Sequence, residues 1–312
     1  MLQIATSAVR LALQGAKRVD LKIANVALKE MRYAFKIFTP YRRVRKVTVF
    51  GSARTGPSHG DYDRAVELGR RMASAGWMVV TGAGSGIMGA AHAGAGREMS
   101  FGVNIRLPFE QQANRTIRGD PKLMVFRYFF TRKLFLLKES SAIVLFPGGF
   151  GTLDETFEVL TLLQTGKQPP IPVVMVENPR TRYFAHLKRF VEEQILAEEL
   201  ISPHDAGLFR VVESVEDACQ EVFRFYRLYH SSRYVGDKLM VRLERALTKE
   251  ELTRLNASFG NILRSGRIES APVLPEERDD PQLAKLARIQ FDFNRRDLGR
   301  LRQLIDVINA FA

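Results

Sequence analysis

The sequence predicts an α/β protein: a doubly wound, parallel-sheet central domain with an N-terminal helical arm and a small C-terminal α+β extension. Three observations predict it. Short apolar, partly β-branched runs recur at 47–50, 77–80, 101–105, 142–146 and 173–176. The segments between them mostly carry helical periodicity, and strand alternating with helix implies right-handed crossovers and a sheet covered on both faces. Glycine-rich stretches follow three of the runs at their carboxyl ends, where open parallel sheets receive ligands.

The elements follow in order. Residues 1–46 hold eleven Lys or Arg against Asp20 and Glu30, which is most of the formal excess of +13. From about Ser7 to Phe38 this stretch reads as a basic helical arm (1–45) that packs on the body or on a second subunit. A helix of this kind can meet a membrane or nucleic acid, or resemble an organellar presequence; a solvated basic face is the plainest account. The remainder is only mildly basic, so no nucleic-acid partner is expected from charge. The Rossmann-like domain is expected over 46–230. It includes helices over 62–75 and 131–140 and closes with a helix over 183–199, a short strand over 208–212 and a helix over 215–228.

Near Ser231 the texture changes, and 231–312 reads as the small extension. Residues 238–244 and 288–293 alternate like half-exposed strands, 267–270 offers a third, and Pro272, Pro275 and Pro281 punctuate the connection. Thr248 with Glu251 forms a capping box ahead of Leu252 and Leu255, and Asn294 is expected to cap a closing helix through Leu298, Leu301, Leu304 and Ile305.

Composition narrows the class. With 312 residues and 46% hydrophobic side chains the chain can build an ordinary core. Its single cysteine, Cys219, excludes an intrachain disulfide or a thiolate-rich metal site and fits a reducing compartment. No apolar run approaches the roughly 20 residues needed to span a bilayer, and the N-terminus lacks a compact apolar region with a cleavage site. A cytoplasmic location is expected.

The three glycine loops are GSAR (Gly51, Ser52, Ala53, Arg54), TGAGSGIMGAA (Thr81 to Ala91) and PGGFGT (Pro147 to Thr152). All should face one crevice. Glycine lets backbone N–H groups approach an oxyanion, and the following helix presents unpaired donors and a positive dipole end, so phosphate is the natural guest. Gly84, Gly86 and Gly89 also satisfy the GxGxxG pattern of dinucleotide sites, and Arg106 offers a partner for a 2′-phosphate. Against that reading, a strand and helix precede the triplet, and no carboxylate ends the next strand. In the third loop, Thr152 and Glu155 fit a capping box. That alternative explains these two residues but not Pro147, Gly148, Gly149 and Gly151. Arg132 and Lys133 form a basic pair on a helix, with a solvated face as their plain alternative, and His92 reads as structural.

PGGFGTLDE, Pro147 to Glu155, resembles the PGGxGTxxE signature of the LONELY GUY (LOG) family, phosphoribohydrolases that release the base from cytokinin riboside 5′-monophosphates and often from AMP. Arg132 and Lys133 stand where that family has its Arg-Lys pair. FGSAR, TGAGSGIMGAA and GVNIRLPFEQ are similar to the longer bacterial members, over about residues 44–230, and FNRRDLGRLRQLID resembles extensions on some of them. Gly89 and His92 depart from the long forms, which often have an acidic residue and Asn there.

The resemblance implies hydrolysis of the N-glycosidic bond of a purine nucleoside 5′-monophosphate. Glu155 and Arg132 would be catalytic. Gly148, Gly149, Gly151 and Thr152 would hold the phosphate, with Gly51, Ser52, Gly84, Gly86 and Lys133 around the nucleotide, and Asn104 and Glu110 as candidates for reading the base. It also implies at least a dimer. No cofactor is expected, and no metal, because the crevice lacks a His, Asp and Glu set at ligand spacing. Many relatives carry the label lysine decarboxylase, but that chemistry calls for a pyridoxal phosphate lysine and a partner for the ring nitrogen, which the sequence does not offer. The alternatives are a non-catalytic carrier of a nucleotide or molybdenum cofactor, and an NADP-binding protein.

Overall fold

A computed structural model describes residues 2–108, 112–278 and 280–312. Helices α1 (Leu2–Leu13) and α2 (Arg18–Phe38) form the arm. α1 buries no residue, whereas α2 buries Ala27, Ala34 and Phe38, and Phe38 stacks on Phe101 of the body with ring centroids 4.7 Å apart.

The body alternates strand and helix as the apolar runs dictate. In chain order it contains β1 (Lys46–Phe50), α3 (Gly60–Ser74), β2 (Met78–Thr81), α4 (Ile87–Ala95), β3 (Ser100–Ile105), β4 (Leu123–Phe126) and α5 (Phe129–Lys138). It continues through β5 (Ala142–Leu145), α6 (Phe150–Gln164), β6 (Val173–Val176), α7 (Tyr183–Phe190), β7 (Arg210–Val212) and α8 (Val215–Phe225). The seven strands pair in parallel in the order β4-β3-β2-β1-β5-β6-β7.

Alternate residues of each strand supply two apolar layers. Val47, Val49, Val79, Val144 and Val174 pack against α3, α4 and α8, while Val80, Phe101, Val103, Leu145 and Met175 pack against α2, α5 and α6. The chain steps outward from β1 to β4, returns to lay β5 beside β1, then steps outward the other way. The loops leaving β1 and β5 therefore diverge, and a crevice opens between them.

The second sheet is antiparallel. It contains β8 (Tyr229–Val235), β9 (Lys238–Leu243), β10 (Leu263–Ser270) and β11 (Ala287–Phe293) in the order β10-β11-β9-β8. Helix α9 (Lys249–Phe259), the short α10 (Pro281–Ala284) and α11 (Leu298–Asn309) complete it. Thr248 and Glu251 form the expected capping box on α9. α11 joins the two sheets: buried Arg302 donates to Glu221 of α8 at 2.6 Å, and Asn309 bonds Phe225 O, Leu228 N and Tyr229 N.

Several expectations need correction. Asp297, not Asn294, occupies the N-cap position of α11 and makes no side-chain cap; the Asn294 side chain instead accepts from the N–H groups of Arg296 and Asp297 in the turn before it. The helix expected over 183–199 is α-helical only to Phe190 and ends in a π-helical turn at Val191–Leu196. α8 stops at Phe225, and β8, which spans the expected domain boundary, starts four residues later. β4 is an edge strand that the spacing of apolar runs does not mark.

Candidate active site

The third glycine loop leaves β5 and enters α6 without a side-chain cap. Gly149 occupies the N-cap position, so Thr152 and Glu155 both lie inside the helix and form no capping box. That alternative for Glu155 therefore does not hold. Thr152 and Leu153 donate their N–H groups to Gly149 O at 3.0 and 3.1 Å, whereas those of Gly148, Gly149, Phe150 and Gly151 have no partner among the described residues. A helix entrance with unpaired donors is an anion site in waiting. Gly148 has to be glycine, because a Cβ there would run into the Thr152 side chain; at Gly149 and Gly151 a Cβ would meet nothing within 4 Å. Tyr183, opening α7, pins the loop by donating its hydroxyl to Gly148 O at 2.8 Å.

The first loop lies opposite and is tied to the third, Ser52 N donating to Pro147 O at 3.1 Å. Beneath it sits the second loop: Ile87 N donates to Ser52 O at 3.0 Å and Ser85 Oγ to Ala53 O at 2.9 Å. Gly86 has φ +64°, and any Cβ on it would strike Ser52 O and Ala53. The GxGxxG triplet thus packs against the first loop at Gly86. Gly84 accepts from Asn114 Nδ2 through its carbonyl at 3.2 Å.

Between the loops lies a cavity of about 760 Å³, within the roughly 300–1,000 Å³ of small-molecule sites. Gly51, Ser52, Gly148, Gly149, Gly151, Thr152, Arg132 and Glu155 all line it. Gly84, Gly86 and Lys133 do not. Residues that the sequence reading passed over add to the wall: Met88, Phe129, Phe150 and Tyr183. A further one, Gly82, seats the arginine, since a Cβ there would strike the Arg132 guanidinium. Its signal was its place directly after β2. Glu110 falls outside the described residues, and Asn104 spends its side-chain oxygen on Ile105 N at 2.8 Å.

Glu155 is 5% exposed, one turn into α6 from the loop. Its Oε1 lies 4.0 Å from Arg132 Nη1 and its Oε2 3.9 Å from Lys133 Nζ, beyond hydrogen-bond reach, and Oε2 has no hydrogen-bond partner among the described residues. Burial pushes its pKa up to about 7; Lys133 and Arg132 hold it back, and the charges of Glu158 and Asp154 push the same way as burial. Arg132 donates Nε–H to Val103 O at 3.0 Å, and burial lowers its pKa against the pull of Glu155. Lys133 bonds Glu158 at 2.7 Å and Asp154 at 2.9 Å. Burial works against its charge, but these hydrogen bonds prevail and its pKa is raised. It neutralises the carboxylates on the outer side of α6.

His92 lies apart from the cavity, fully buried. Its Nε2 bonds Phe101 O at 3.0 Å, its Nδ1 pairs with Asn114 Nδ2 at 3.1 Å, and burial pushes its pKa down to about 4. Among the described residues no three His, Cys, Asp or Glu side chains are grouped to hold a metal ion.

Comparison with known proteins gives the chain its relatives. Residues 86–222 match a family described as "Possible lysine decarboxylase". The chain is 30% identical over 167 residues to the cytokinin riboside 5′-monophosphate phosphoribohydrolase LOG3 of Arabidopsis thaliana, covering 52% of this chain and 74% of that protein. The chain belongs to the LOG family. It is 29% identical to the probable phosphoribohydrolase LOGL6 of Oryza sativa subsp. japonica over 166 residues, and 28% identical to that organism's LOG over 165. Those matches cover 52% and 50% of this chain but only 63% and 66% of the two LOG proteins, just under two thirds of their length. Among solved structures, the molybdenum cofactor carrier protein of Chlamydomonas reinhardtii is 23% identical, covering 58% of this chain and 97% of that one at a TM-score of 0.40.

Proposed function

We propose that this chain hydrolyses the N-glycosidic bond of purine nucleoside 5′-monophosphates, releasing the free base and ribose 5-phosphate. The observation that carries the reading is the desolvated Glu155 carboxyl in the cavity wall, one helical turn from four unpaired backbone N–H groups. A phosphate on those donors and the Thr152 hydroxyl directs the ribose along α6 toward Glu155. The C1′–N bond breaks with its electron pair leaving on the base, and positive charge builds on the sugar as in glycoside hydrolysis. Glu155 in its ionised form stabilises that charge and takes a proton from the water that attacks C1′. The departing base takes up a proton, so water is divided between the two products. Arg132, held by Val103 O, faces the same space and offsets charge on the phosphate or the leaving base.

Lys133 is unsuited to a Schiff-base role, which needs a lysine with a lowered pKa; the pull here is the other way. Packing of Gly86 against the first loop likewise counts against a dinucleotide on the GxGxxG triplet. Exposed Phe129, Phe130 and Leu134 of α5, beside the cavity, support a subunit contact there.

Incubating the full chain with AMP and with isopentenyladenosine 5′-monophosphate while following ribose 5-phosphate tests the proposal. Release of ribose 5-phosphate from at least one is expected. Tight nucleotide binding without release would favour a carrier instead.

A further inference from the structure

The arm has an apolar face that nothing among the described residues covers. α1 carries one charge, Arg10, and buries no side chain: Leu2 and Leu13, 82% and 80% exposed, share one side of the helix with exposed Val9. α2 continues the exposed apolar set with Val19 and Ile23. A short helix draws its stability from burying an apolar face, so one that buries nothing within its own chain is built for a surface outside it. The charges around this face are mostly positive. Lys17, Arg18, Lys22 and Lys29 follow α1 with Asp20 as the only carboxylate in the first 29 residues.

We propose that the arm docks on an anionic lipid bilayer, with α1 lying in the interface, its aliphatic side chains at the acyl boundary and the neighbouring cations on the headgroup phosphates. Charge complementarity selects this occupant. A second copy of the chain would bring the +9 of residues 1–46 against itself, or against a remainder that also carries an excess of +4. A nucleic acid would meet an aliphatic helix with a single cation in place of a basic groove with stacking aromatics. No helix among the described residues is long and apolar enough to cross a membrane, so the attachment is peripheral.

The test uses the full chain sedimented with vesicles of phosphatidylcholine alone or mixed equally with phosphatidylglycerol. On the mixed vesicles the bound fraction should be at least about tenfold higher and should fall as salt is added. The double variant Val9→Glu, Leu13→Glu and the triple variant Lys17→Glu, Arg18→Glu, Lys22→Glu should each bring binding down to the phosphatidylcholine level with unchanged helix content. Equal sedimentation with both vesicles, or variants that bind like the parent, would overturn the proposal. So would a loss of vesicle binding by every protein together with a smaller solution mass for Val9→Glu, Leu13→Glu, which would assign the face to a second copy, or a preference for RNA over vesicles.

Discussion

A carboxyl group 5% exposed, 4.0 Å from one cation and 3.9 Å from another, ionises less readily than one in water because burial outweighs both attractions. Two consequences follow for Glu155. As a base it must be ionised, so turnover should rise with pH through about 7 and level off above it. Replacing it with Gln should abolish that limb of the pH profile and lower kcat by roughly 10²-fold or more while nucleotide affinity is kept. The second consequence concerns stability. Folding raises this pKa from 4.5 to about 7, so the folded chain retains a proton that the unfolded chain gives up, and stability falls as pH rises between those values. Above pH 7 the ionised group costs up to about 3 kcal/mol. Glu155→Gln should therefore melt higher than the parent at pH 8 and little differently at pH 4.5, in thermal unfolding followed at both.

At the scale of elements, the site is built where two loops part at the strand-order reversal, and a third holds them from below. Gly82 tests that support. A Cβ there meets the mobile end of Arg132 and, at 2.9 Å, the Met88 sulfur, both able to give way, so Gly82→Ala should barely change the melting temperature. Displacing Arg132 should nonetheless cost activity on the scale of roughly tenfold or more, read as a fall in kcat.

The loops also show what a sequence discloses and what it hides. PGGFGT stood out because a capping box accounts for Thr152 and Glu155 but not for the glycines before them, and the structure removes even that box by placing Gly149 at the N-cap. TGAGSG looked similar, yet Gly86 is glycine to make room for Ser52 O, a contact between segments more than 30 residues apart that local spacing cannot reveal. Tyr183 was visible only as a helix start, since its partner, the Gly148 carbonyl, lies 35 residues upstream. β8 escaped notice for a different reason: YHSSRYV is a polar, half-exposed edge strand, and its Gly236-Asp237 hairpin turn was the local sign of it.

For the whole molecule, the junction between the two sheets rests on a charge pair in the interior. Arg302 is 2% exposed and bonds Glu221 at 2.6 Å and Asp306 at 3.1 Å. Glu221→Ala would leave that guanidinium with Asp306 alone, and removal of one partner from a buried pair costs about 3 kcal/mol. Trp77, the only tryptophan, packs on Phe223 and Tyr226 at the end of α8. Its fluorescence should report a lower urea midpoint in that variant. The same junction leaves the cavity untouched, so base release by the folded variant should match the parent.

The most direct measurement is a crystal structure of Glu155→Gln with AMP bound. It should show the phosphate on the N–H groups of residues 148–151 and C1′ beside the substituted side chain, with Arg132 facing the nucleotide. A phosphate on the Gly84–Gly86 loop, or a ribose turned away from position 155, would contradict the account.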